Sequence, residues 1–169
     1  MMTTSDGQFE FEGEENENYE ISPYRNDDPL NGVSTMDLIL ISKHILGMEL
    51  LDSPYKMIAA DANNSGTITA NDLVEIRKLI LFITEAFSNS DSWRFVEEDY
   101  LFPEPNNPFA FTFPSIYSIN GLTADQVANF IAIKIGDVNG NAVANQLAGA
   151  GDTRSQGSLS FQIDDQKLE

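Results

Sequence analysis

The sequence predicts a mainly α fold: two loop–helix repeats packed antiparallel, an irregular extension rich in aromatics and proline, and disordered ends. Three observations carry this reading. Gly32-Val-Ser-Thr-Met-Asp-Leu-Ile-Leu-Ile-Ser-Lys-His-Ile-Leu-Gly is answered 35 residues later by Thr67-Ile-Thr-Ala-Asn-Asp-Leu-Val-Glu-Ile-Arg-Lys-Leu-Ile-Leu-Phe, which marks two copies of one unit. Within each copy, Leu38, Ile41, Ile45 and Leu46, or Leu73, Ile76, Ile80 and Leu81, recur at three- and four-residue spacing and so share one helical face. Between residues 88 and 120, Trp93, Phe95, Tyr100, Phe102, Phe109, Phe111, Phe113 and Tyr117 are interleaved with four prolines, a pattern of irregular chain with short extended pieces.

Taken in order, residues 1–22 hold seven acidic side chains and no base, too little apolar surface to offset ordering entropy; a disordered acidic tail is expected, with an acidic recognition arm as the alternative. The domain proper is expected over 23–147, with repeats near 26–47 and 61–82 and the extension over 83–147. Gly47 suits the end of the first helix, and an acid at each helix start, Asp37 and Asp72, complements the helix dipole. Pro54 and the brief stretch to Ala60 leave room for a turn or two of helix before the second loop. The aromatics of the extension are expected to cap the helix pair as core, with carbohydrate stacking on Trp93 as the alternative. Thr123-Ala-Asp-Gln reads as a capping box opening a short helix, followed by the apolar run Phe130–Ile135. Leu147–Gly157 has linker composition, and Ser158–Ile163 alternates like a strand; with no partner in view, 148–169 is expected to be a linker and the start of a following domain.

The second repeat carries the chemistry. Residues 61–72 place Asp61, Asn63, Ser65, Thr69 and Asp72 at loop positions one, three, five, nine and twelve, with Gly66 at six. A hard cation such as Ca²⁺ takes six to eight oxygens, and a twelve-residue loop supplies them when the chain turns sharply at its sixth residue. Side-chain oxygens would come from Asp61, Asn63 and Ser65, a backbone carbonyl from Thr67, a direct or water-mediated contact from Thr69 and the closing carboxylate from Asp72. Ile68, at position eight, would point into the core. With two formal carboxylates the affinity should be weak, roughly 10⁻⁵ to 10⁻³ M. An unliganded polar turn is the alternative, since Asp, Asn, Ser and Gly also crowd ordinary turns.

Two calcium half-loops, each leading into one helix with lysine at the same place, resemble a type I dockerin across residues 26–83. The resemblance implies a small calcium-dependent module of secreted or cell-surface bacterial proteins that docks onto a cohesin-like domain, in many cases assembling polysaccharide-degrading enzymes. It implies that Asp61, Asn63, Ser65, Thr67 and Asp72 bind Ca²⁺. It also places Ala70, Asn71, Arg77 and Lys78, and in the first copy Thr35, Met36, Ser42 and Lys43, where the family reads its partner. The first copy departs from the pattern: Leu30 stands at position five and Asn31 rather than glycine at six. Downstream, Gly136-Asp-Val-Asn-Gly-Asn reproduces the opening of such a loop but has Ala148 where the closing acid belongs. The two incomplete halves are expected to complete each other, with Asp137, Asn139 and Asn141 meeting the Gly32 carbonyl and Asp37 around a second calcium. The alternative is a plain turn at Asp137 and a dead first site.

Other classes are disfavoured. A net charge of −18 with no basic patch argues against nucleic acid. The absence of cysteine excludes thiolate chemistry, and a single histidine, His44, makes neither a triad nor a zinc centre. No apolar run approaches the roughly 20 residues of a membrane span. The first residues lack the basic and apolar regions of a secretion signal, so an exported protein would be represented here by an excised piece. Glu97, Glu98 and Asp99 could supply an acid and a base, but no nucleophile, base and orienting group can be traced together, and no catalytic residues are assigned. The expected function is a monomeric calcium-binding interaction module that anchors a larger polypeptide such as an enzyme or adhesin; the alternative is a calcium-stabilised spacer.

Overall fold

The computed structural model describes residue 4, residues 7–144 and, as strand backbone, residues 160–162. Its elements in chain order are β1 (Tyr19–Tyr24), α1 (Thr35–Ile45), α2 (Pro54–Ala60), α3 (Ala70–Ile80), β2 (Trp93–Glu97), β3 (Tyr117–Ile119), β4 (Phe130–Lys134) and β5 (Ser160–Gln162). Three short helices beside two small sheets form a mixed α and β architecture, so the mainly α expectation is wrong. The helical period occupies two 11-residue segments, whereas backbone pairing between distant segments organises much of the remaining chain. Such pairing leaves little trace in local spacing.

One sheet has the order β3-β1-β5, with β1 central and both pairings antiparallel, Tyr19 opposite Ile119 and Ser22 opposite Gln162. Strand β1 therefore starts inside the acidic stretch, and Ile21, Ile119 and Ala128 form a small apolar cluster joined by Phe9, Phe11 and Tyr19. The segment read as a strand without a partner contributes β5, while the expected linker Leu147–Gly157 lies outside the described residues. The second sheet pairs β2 with β4, Trp93 opposite Lys134 and Glu97 opposite Phe130.

Both long helices start in the same way. The Ser34 hydroxyl accepts from the Met36 N–H while the Asp37 carboxylate accepts from the Ser34 N–H; Thr69, Asn71 and Asp72 repeat the arrangement at α3. These reciprocal bonds satisfy N–H groups that a helix start leaves free. Helix α2 is a short piece capped by Ser53 with Pro54 in its first turn, where the missing N–H costs nothing. Ile41 of α1 and Ile76 and Leu79 of α3 are buried with Ile58, Val96, Ile135 and Val138, and Tyr100, Phe102, Phe109 and Phe113 pack against this core.

Leu46 and Leu81 do not join the buried stripe. Both α1 and α3 end one residue earlier, and the chain then enters the left-handed region at Gly47 (φ 66°) and Phe82 (φ 55°). Met48 and Ile83 N–H groups close the turns by donating to the carbonyls of Lys43 and Lys78, both at 2.9 Å. Leu46 and Leu81, whose N–H groups still bond the carbonyls of Ser42 and Arg77, are exposed because a five-residue step turns each about 140° round the helix from the buried Ile41 and Ile76. His44, which stands where α3 has the buried Leu79, instead accepts the Leu51 N–H through Nδ1 at 3.0 Å, and burial lowers its pKa. The capping box expected at Thr123 also fails to open a helix. Gln126 donates to the Ala124 carbonyl and the chain runs irregularly into β4, whose pairing with β2 draws it out. Trp93 is only 6% exposed, with the Arg25 guanidinium 4.6 Å from its ring centroid, so that face is closed to a sugar ring. No helix among the described residues is long and apolar enough to cross a membrane.

Candidate metal centre

The loop between α2 and α3 is organised by its two acids. Asp61, at the C-terminal end of α2, accepts the Ser65 N–H through Oδ1 (2.8 Å) and the Gly66 N–H through Oδ2 (2.9 Å). Asn63 Oδ1 also accepts from Ser65 N–H, at 3.1 Å. Asp72 Oδ1 takes the Asn63 N–H at 3.1 Å while its Oδ2 takes the Thr69 N–H at 2.8 Å, so one carboxylate both caps α3 and ties down the start of the loop. Gly66 makes the turn at φ 74°, a conformation other L-residues adopt only at a cost. Asp61 Oδ1 and the Thr67 carbonyl lie 3.5 and 3.1 Å from the Ser65 hydroxyl oxygen. Ligand oxygens at about 2.3 to 2.6 Å from a cation lie at comparable mutual distances. Ile68 packs against the core, as position eight requires.

The residues expected to form the second site also come together. Asp137 Oδ1 accepts from Gly140 N–H (2.8 Å) and Asn141 N–H (3.3 Å), and its Oδ2 accepts from Ala142 N–H (2.7 Å). Asn139 Oδ1 accepts from Asn141 N–H at 3.2 Å. Across the chain, Asp37 Oδ1 accepts the Val138 and Asn139 N–H groups at 3.0 and 3.2 Å, and its Oδ2 accepts the Ser34 N–H at 2.9 Å. Gly32, at φ 75°, lies so close that an added Cβ would stand 2.7 Å from the backbone of Ala142 and from Asp137 Oδ2.

Electrostatics decides what these loops suit. Asp37, Asp61 and Asp72 are wholly buried and Asp137 is nearly so, yet none of the four forms an ion pair among the described residues. Burying paired anions without a cation is costly. Burial pushes the Asp72 carboxyl above its usual range, the Asp61 charge adds to the rise, and hydrogen bonds from Thr69 and Asn63 only partly offset it. Arg94, stacked 5.0 Å over Phe113, attracts Asp61 at longer range without pairing with it. No group of three or more His, Cys, Asp or Glu side chains converges among the described residues. Each loop therefore has two carboxylates and must rely on amide, hydroxyl and carbonyl oxygens, an all-oxygen donor set that fits a hard divalent cation such as Ca²⁺.

The residues expected to face a partner lie on α1 and α3. Thr35, Met36, Ala70, Asn71 and Arg77 are exposed. Lys43 and Lys78 are partly covered and paired with Glu49 and Glu75. Sequence reasoning missed the apolar residues just past each helix end: Leu46, Met48 and Leu50 after α1, and Leu81, Phe82 and Ile83 after α3, all exposed. The 35-residue repeat carried that signal, since Leu46 and Met48 correspond to Leu81 and Ile83. Glu97, Glu98 and Asp99, the candidate acid and base, sit at the end of β2 and just beyond it, with Glu98 and Asp99 exposed.

Residues 30–81 match the family model for the dockerin type I domain. The match covers most of both loop–helix repeats, starting within the first at Leu30, and ends before Asp137. No curated protein and no solved structure matches the chain.

Proposed function

We propose that this protein is a calcium-dependent docking module that anchors a larger polypeptide, an enzyme or adhesin, to a cohesin-like domain at the bacterial surface or outside the cell. Asp61, Asn63, Ser65, the Thr67 carbonyl and Asp72 would hold Ca²⁺, which neutralises the two buried carboxylates and cross-links the loop. Support comes from the dockerin match over residues 30–81 and from the all-oxygen loop at its centre. A docking role gets its physical support from one observation: corresponding positions of the two repeats leave apolar side chains in solvent, Ile39 with Val74, Leu46 with Leu81 and Met48 with Ile83. Apolar residues exposed in pairs by a repeat favour an interaction surface.

Phe82 sharpens the point. It is 79% exposed and occupies the left-handed region, where a bulky L-residue costs roughly 1–2 kcal/mol. The equivalent turn after α1 uses Gly47, so an unstrained solution exists in the same chain. A strained residue that contributes little to packing is explained by contact with a partner. Phe82→Gly should therefore raise the melting temperature by the equivalent of about 1 kcal/mol while weakening calcium-dependent capture of the cohesin-type acceptor. Thermal melts and immobilised-acceptor binding, each with and without chelator, check both halves. Under the spacer reading no acceptor is captured by either form. That reading draws on the clamps between residues 25–31 and 134–144, which would stiffen a junction.

A further inference from the structure

We propose that Asp137, Asn139, Asn141, the Gly32 carbonyl and Asp37 form a second Ca²⁺ site, a twelve-position loop cut between its sixth and seventh positions and supplied by two distant segments of the chain. The inference rests on the reading that loop 61–72 takes calcium and extends it to residues outside the dockerin match.

The correspondence is positional. Counting Asp137 as one makes Asn139 three, Asn141 five and Ala142 six; the count resumes at Gly32 as seven and ends at Asp37 as twelve. In both loops the acid at one accepts the N–H groups of five and six: Ser65 and Gly66 in the intact loop, Asn141 and Ala142 in the divided one. The amide at three accepts the N–H of five in each. The acid at twelve takes the N–H of three on Oδ1, from Asn63 to Asp72 and from Asn139 to Asp37, although the second pair lies 102 residues apart in the chain. Its Oδ2 takes the N–H of nine, Thr69 or Ser34.

Where the intact loop has a covalent bond between six and seven, the divided loop has contact. Ala142 abuts Gly32 so closely that the space for a Cβ is filled by Ala142 backbone and an Asp137 carboxylate oxygen. Asn31 then holds the two segments in register as another strand would, donating to the Val143 carbonyl at 2.8 Å and accepting the Val143 N–H at 3.0 Å. Lys134 donates to the Pro29 carbonyl at 2.7 Å, and Arg25 to the Ala144 carbonyl at 2.6 Å. The first repeat has lost the opening of its own loop, since Leu30 and Asn31 occupy positions five and six. Chain from beyond the second repeat supplies the donor types the first repeat lacks. Calcium there would bind only the assembled junction and so hold residues 136–144 against α1.

Calcium titration of the chelator-stripped full chain by calorimetry tests this. Asp137→Asn is the main variant, because it keeps one acceptor oxygen for the loop N–H groups; Asn139→Ala is the second, with circular dichroism to confirm folding. The wild type should bind two equivalents, and each of these variants, like Asp72→Ala, should bind one. Calcium should also slow amide exchange at Gly140–Val143 in the wild type and not in Asp137→Asn. A wild type that binds one equivalent, unchanged in Asp137→Asn, overturns the divided site and leaves loop 61–72 standing. No binding at all overturns both readings.

Discussion

Asp61→Ala should abolish calcium binding by loop 61–72 and leave the protein less stable than the wild type stripped with chelator. Two separate losses combine. The metal contributes RT ln(1 + [Ca²⁺]/Kd), about 2.7 kcal/mol when calcium exceeds Kd a hundredfold, and this part disappears in either case. The wholly buried side chain also accepts the Ser65 and Gly66 N–H groups; removing it strands the Gly66 donor and leaves the Ser65 N–H with Asn63 Oδ1 alone. An unsatisfied buried donor costs about 1–3 kcal/mol. Chelator removes the first contribution alone, so the variant should melt below chelated wild type. Asp61→Asn, which keeps one acceptor oxygen, should lie between them. Parallel melts of the three proteins in calcium and in chelator provide the check; equal midpoints for Asp61→Ala and wild type would show that neither contribution is present.

Gly32→Ala carries the second large effect. Its φ of 75° lies where a side chain costs roughly 1–2 kcal/mol. Its Cβ would also stand 2.7 Å from the Ala142 backbone and from Asp137 Oδ2, far inside van der Waals contact. Backbone cannot swing aside as a flexible side chain can, so relief requires Ala142 and Asp137 to move away from α1. That breaks the Asp137 and Asn31 bonds that close the junction. A total loss of about 3 kcal/mol or more is expected, in the range of overpacked interiors combined with backbone strain. Calcium binding by loop 61–72 should survive, because that loop shares no ligand with Gly32. Chemical denaturation with a calcium titration of the same variant measures both; an unaltered midpoint would mean that the junction is not closed in solution.

How much of the molecule the sequence makes legible depends on the range of each interaction. Helices α1 and α3 are readable because Ile41 and Ile76 belong to a local period, and Ser34–Asp37 and Thr69–Asp72 are local caps. The convergence of Asp137 with Asp37 is legible for a different reason: one broken motif lacks a beginning and another lacks an end. Strands β1, β2, β3 and β4 are not legible as such, since Tyr19 opposite Ile119 and Trp93 opposite Lys134 are long-range choices that neither segment announces alone. Acidic composition conceals β1 further, although its inward Ile21 is buried against Ile119. Leu46 and Leu81 depart from expectation because a five-residue step from Ile41 or Ile76 turns each about 140° round the helix, away from the buried face, although both still make helical N–H bonds. Lys134 is likewise hidden, a cation buried beside Phe87 and Trp93 whose burial lowers its pKa to about 8 against the pull of Asp28 and Asp137.

Calcium dependence requires that the carboxylates of loop 61–72 enclose a cation. Crystals grown in millimolar calcium chloride, measured at a wavelength where calcium scatters anomalously, address this most directly. A bound calcium should give an anomalous peak about 2.3 to 2.6 Å from oxygens of Asp61, Asn63, Ser65, Thr67 and Asp72. Ordered water in that place, or density with no anomalous signal, would mean that loop 61–72 encloses no calcium.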